Sequence, residues 1–90
     1  MKTPFHRTQF ARDFQFAKKY IELNFIVTNK INKKLTSIDF VNEIKNKTGR
    51  SIDNEIFQLA AREFKLIIEF QENSRNEYYN LKLSKVDNNR

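Results

Sequence analysis

Ninety residues with nine Phe, three Tyr and no Cys or Trp are enough for one domain with a compact aromatic core, too small for an elaborate buried active site and without the thiols for a disulfide framework. The formal net charge of +6 favours a polyanion such as nucleic acid, unless the basic side chains serve solubility alone. No apolar run approaches the roughly 18 residues of a membrane span, and residues 1–10 lack the apolar stretch of a signal peptide. A single cytoplasmic domain over residues 1–90 is therefore expected.

Thr3 and Pro4 read as a helix N-cap and first helical position. From there to about Asn29 the apolar spacing is helical and forms two rows. One holds Phe10, Phe14, Ala17, Ile21 and Phe25; the other holds Phe16, Tyr20, Leu23 and Val27. A helix buried along one stripe needs only one row, so the second points to a further partner, most plainly a homodimer. A helix deep in the monomer core, or a break near Asn24 that leaves Asn24 to Thr28 extended, would produce the same pattern. Opposed apolar rows leave too narrow a polar face for a membrane-surface helix, so no membrane partner is expected. Residues 29–34 read as a polar, basic connector. Residues 1–34 carry eight basic side chains against two acidic ones, while residues 35–65 and 66–90 are each neutral. The whole positive excess thus lies in the N-terminal third.

Thr36 and Asp39 have the spacing of a capping box, with Leu35 and Phe40 as its hydrophobic staple. The helix they start should bury Ile38, Phe40 or Val41, and Ile44. It should end at Gly49, the one glycine of the chain, after Lys45 and Lys47 in the last turn. Ser51 is the next N-cap candidate, followed by Asp53 and Glu55. The helix beyond it would bury Ile52, Ile56, Leu59, Ala60 and Phe64. Residues 66–71 and 77–83 alternate, separated by a polar turn at 72–76. Leu66, Ile68 and Phe70 would share a face with Tyr79, Leu81 and Leu83. Residues 84–90 read as a frayed polar tail.

From Leu35 to Leu83 this order of parts resembles a winged helix-turn-helix domain. Residues 36–44 are similar to its second helix, 51–65 to its recognition helix and 66–83 to its wing. The expected fold is α+β, mainly α: three helices with a C-terminal β-hairpin wing, divided into a basic N-terminal helix and connector (1–34), a helix-turn-helix (35–65), the wing (66–83) and the tail (84–90). The resemblance implies duplex DNA as ligand. Carried over by position, Asp53, Asn54, Phe57, Gln58, Ala61, Arg62 and Lys65 would face the solvent. Asn54 and Gln58 would then be candidates for bidentate contact with adenine. Arg50, Arg62 and Lys65 would reach phosphates and the wing-tip Arg75 a phosphate or a narrow minor groove, joined by Lys18, Lys19, Lys30, Lys33 and Lys34 from the basic segment. Phe16, Tyr20, Leu23, Val27 and the outward Phe57 are the candidates for a dimer or protein partner. The electrostatics depart from the pattern, because Asp53 and Glu55 sit where the helix would enter the groove.

Catalysis finds little material. His6 is the only histidine, so no His-based triad or His metal cluster forms, and one glycine builds no phosphate loop. Carboxylates are plentiful, but in helix caps and alternating strand positions they read as solvated surface; a pair such as Glu69 with Glu77 across the hairpin is the kind a catalytic role would need. No enzyme activity, cofactor or metal is expected. The expected function is a DNA-binding transcriptional regulator or an accessory factor of a mobile element. The alternatives are a single-stranded-DNA accessory protein of replication or recombination, and a protein–protein module such as a small subunit or inhibitor of a larger enzyme.

Overall fold

The structure, a computed structural model, describes residues 5–83; the expected cap at Thr3 and Pro4 and the tail at 84–90 lie outside them. The elements are helix α1 (Phe5–Asn24), strand β1 (Ile26–Thr36), helices α2 (Ser37–Thr48) and α3 (Asn54–Ala61), a 3-10 turn (Arg62–Phe64), and strands β2 (Ile68–Phe70) and β3 (Glu77–Lys82). The result is a small α+β domain of three helices and one antiparallel sheet, with strand order β1-β3-β2.

Helix α1 stops five residues short of the expected Asn29. The Phe25 amide still donates to the Ile21 carbonyl (3.1 Å) and the Asn24 side chain to the Tyr20 carbonyl (3.2 Å). Then Ile26, Val27 and Thr28, β-branched and stiff at χ1, favour extended backbone, and β3 supplies a ladder for it. The supposed connector at 29–34 is therefore strand. Of the two apolar rows, Ala17, Ile21 and Phe25 are buried, Phe14, Phe16 and Tyr20 are half-buried, and Leu23 and Val27 stand in solvent.

Strand β1 is not a regular ladder. Ile26 pairs with Lys82 and Val27 with Leu81, but Asn32 is next, opposite Tyr79, and Thr36 follows, opposite Tyr78. Five steps along β1 thus match two along β3, then four match one, so the strand bulges twice. Asn80 fills the space behind the first bulge. Its side chain donates to the Thr28 carbonyl (2.8 Å) and accepts from the Ile67 amide (2.7 Å), and Asn32 donates to the Leu81 carbonyl (3.0 Å).

Helix α2 forms as its local signals require. The Thr36 amide donates to Asp39 Oδ2 (2.8 Å) and the capping box is complete. Gly49 takes the left-handed conformation (φ 81°), its amide bonded to the Lys45 carbonyl (2.7 Å). Phe40, Val41 and Ile44 are buried, whereas Ile38 is exposed.

Helix α3 differs more. Its N-cap is Asp53 instead of Ser51, because Ile52 is drawn into the core; Ile52 and Phe57 hold the two staple positions and both are buried. The α-helix ends at Ala61, and the chain tightens through the 3-10 turn to a left-handed Lys65 (φ 54°). Phe57 and Ala61, expected in solvent, are fully buried, while Leu59, expected inside, is exposed. The core centres on Phe40, Phe57 and Tyr79, whose rings pack pairwise at 5.8–6.0 Å, with Phe25 edge-on to Phe40 at 5.0 Å. In the hairpin Ile68 opposes Tyr79 as the alternation predicts, but Phe70, at the end of the ladder opposite Glu77, lies in solvent. Among the described residues no helix is long and apolar enough to cross a membrane.

Candidate nucleic-acid interface

The amides expected to read bases are turned toward the hairpin. The Asn54 side chain donates to Asn76 Oδ1 (3.0 Å), leaving its own Oδ1 buried and without a partner among the described residues. Gln58 donates from Nε2 to the Arg75 carbonyl (2.7 Å) and to Ser37 Oγ (3.2 Å). Ser37 Oγ also accepts from the Glu77 amide (3.1 Å), so α2, α3 and the hairpin meet at one hydroxyl. Any contact of Asn54 or Gln58 with a base edge would first have to replace these bonds.

Arg62 is likewise engaged. Its guanidinium reaches both oxygens of Glu77, with Nη1 at 3.0 Å from Oε1, and Nη1 also donates to the Gln58 carbonyl (3.0 Å). Glu77, read from sequence as a solvated strand residue, is buried, and the Tyr79 hydroxyl donates to its Oε1 (2.8 Å). The hydrogen bond to Glu77 raises the Arg62 pKa. Burial first, then the bond to Glu77, raises that of Tyr79. The alternation that put Tyr79 and Leu81 inside includes Glu77, so its burial had a signal in the sequence. Glu69 is held by Lys33 (2.8 Å) and, being opposite Tyr78, lies on the other face of the hairpin from the buried Glu77.

Arg50, in the turn between α2 and α3, donates from Nε (3.2 Å) and Nη2 (2.8 Å) to Asp13 Oδ1 and lies 4.5 Å from the centre of the Phe16 ring. Lys18 approaches Glu63 at 3.8 Å. Arg75, at the hairpin tip, stands in solvent 4.0 Å from Glu55. The hydrogen bond to Glu69 raises the Lys33 pKa. Lys19, Lys30, Lys34 and Lys65 are exposed and form no ion pair among the described residues.

Lys30 lies in the first bulge of β1, and Lys33 and Lys34 lie in the second. A bulge frees its residues from the ladder and re-aims their side chains, here on an edge strand. Thr28 Oγ1 bonds the Lys30 carbonyl (2.8 Å) and Asn32 Oδ1 accepts from the Lys34 amide (3.0 Å), fixing both tips. Of the partner candidates, Leu23 and Val27 remain accessible, Phe16 and Tyr20 pack against each other at 6.3 Å, and Phe57 belongs to the core. Comparison with known protein families, with curated proteins and with solved structures gave no match.

Proposed function

We propose that this chain is a winged-helix domain that binds duplex DNA by its phosphates, as a regulator or as an accessory factor on DNA. The order α2, tight turn, α3, hairpin supports the fold, as does the docking of the hairpin turn on α3 through Asn54 and Gln58. The observation that carries the function is the bulged β1 strand, on which Lys30 and Lys34 project into solvent without a carboxylate partner among the described residues. Exposed, unpaired lysines held on an edge strand suit a sequence-independent phosphate contact. The carboxylates Asp53 and Glu55 on α3 argue against that helix as the main phosphate grip. Leu23 and Val27, exposed where α1 passes into β1, are the surface through which a homodimer would bring two such strands together.

Fluorescence anisotropy on matched duplex and single-stranded DNA, titrated across salt, tests this reading. Duplex binding that weakens steeply with salt supports it. Preference for single strands would replace it with a replication or recombination role, and no binding at low salt would remove nucleic acid as the ligand.

A further inference from the structure

The outer face of α3 bears the wrong charge for DNA and too much apolar surface for a free face. Three neighbouring hollows line it. The first, about 310 Å³, lies against α1 between Phe10, Asp13, Asp53, Glu55 and Leu59. A second, about 430 Å³, lies between Glu55, Leu59, Arg62 and Phe70. The third, about 680 Å³, opens toward the hairpin tip and is bounded by Asp53, Asn54, Glu55, Phe70 and Arg75. Glu55 borders all three, so they form one continuous surface.

Three large apolar side chains stand out along it: Phe10 is 43% exposed, Leu59 47% and Phe70 69%. Clustered exposure of this kind marks an interaction surface, unlike single scattered residues. The Phe70 ring has neither an aromatic nor a cationic neighbour among the described residues, which leaves its faces open to a cation. Asp53 and Glu55 give the surface a local negative charge in a chain whose net charge is +6. Of the nearest cations, Arg62 is taken up by the buried Glu77, and Arg75 comes only to 4.0 Å of Glu55 with both side chains in solvent, which leaves Glu55 largely unneutralised.

The geometry points to this face as a docking surface for a basic segment of a partner protein that carries both apolar and Lys or Arg side chains. The apolar groups would cover Leu59 and the two Phe rings, and the cations would meet Glu55, Asp53 and the open face of Phe70. Nucleic acid and anionic lipid are disfavoured by the same carboxylates. The assignment is independent of DNA binding at β1, which uses other residues.

The test is anisotropy of a labelled amphipathic Lys/Leu peptide, and of its Glu/Leu counterpart, with the full chain. The variants are Glu55→Lys, Leu59→Ser and Phe70→Ser, all at exposed positions, with folding checked by circular dichroism. The Lys/Leu peptide should bind despite the positive net charge of the protein, and the Glu/Leu peptide should not. Each variant should weaken binding by about tenfold, and Lys30→Gln with Lys34→Gln should leave it unchanged. Absence of binding, equal binding of both peptides, or variants without effect would overturn the assignment. So would self-association that the same variants abolish, because the occupant would then be a second copy of this chain.

Discussion

Glu77 is a carboxylate inside the protein, and its neighbours explain how it remains there. Two guanidinium nitrogens and one phenol serve its oxygens, the kind of saturation a buried charge requires. Arg62→Ala would leave that charge without its cation. Because the Arg62 side chain is 40% exposed, water offsets part of the loss, and the expected destabilisation is about 2–3 kcal/mol instead of the full penalty of a buried pair. Urea unfolding of the variant measures it; a change within experimental error would mean that Glu77 is solvated. Tyr79 adds a pH dependence. Burial raises its pKa in the folded state, and the bond to Glu77 acts in the same direction. The folded protein therefore keeps a proton that the unfolded chain releases near pH ~10. This contribution is complete below that pH and is lost as pH rises above it. Tyr79→Phe should make the urea midpoint fall less steeply between about pH 9 and 11. An unchanged slope would assign the alkaline loss to other groups.

At the level of elements, the C-terminal end of α2 depends on Gly49. A Cβ built there meets nothing within 4 Å, so the only penalty of Gly49→Ala is the left-handed backbone at φ 81°. That is worth about 1 kcal/mol, and Gly49→Asn should cost less because Asn tolerates the conformation. Thermal unfolding of both variants checks the order, and equal losses would show that backbone strain is not the cause. The same helix was legible in the sequence because its signals are local: Thr36, Asp39, Phe40 and Gly49 lie within one short segment. Strand β1 was not, since its partner β3 lies some fifty residues away and its two bulges destroy the alternation by which strands are read. Helix α3 was legible in position but not in face. Ile56 and Phe57 are adjacent and both apolar, so the helical period is satisfied with either Phe57 or Leu59 inside. The hairpin, by packing Tyr79 against Phe57, decided for Phe57. Of the candidate site, the lysines of β1 could be read from charge. The engagement of Asn54, Gln58 and Arg62 could not, because it depends on how the hairpin turn folds back onto α3.

Over the whole molecule the charges divide by role. Arg50, Arg62 and Lys33 are joined to carboxylates on other elements and act as fasteners between them, while Lys30 and Lys34 have no such partner among the described residues. Only the free class is available to displace counterions from DNA at no internal cost. Each phosphate neutralised contributes about −0.9 to the slope of log K against log salt concentration. Replacing Lys30 and Lys34 together by Gln should therefore reduce the steepness of duplex binding by about 2, with little change in fold stability. Lys33→Gln should reduce it by less, since Lys33 must first leave Glu69, 2.8 Å away. The comparison separates a phosphate grip on the bulges from a general effect of net charge, because Lys33 and Lys34 are neighbours that differ in their carboxylate partner. If Lys33→Gln and Lys34→Gln lower the slope equally, the bond to Glu69 does not withhold Lys33 from the phosphates; if neither lowers it, the binding surface lies elsewhere on the protein.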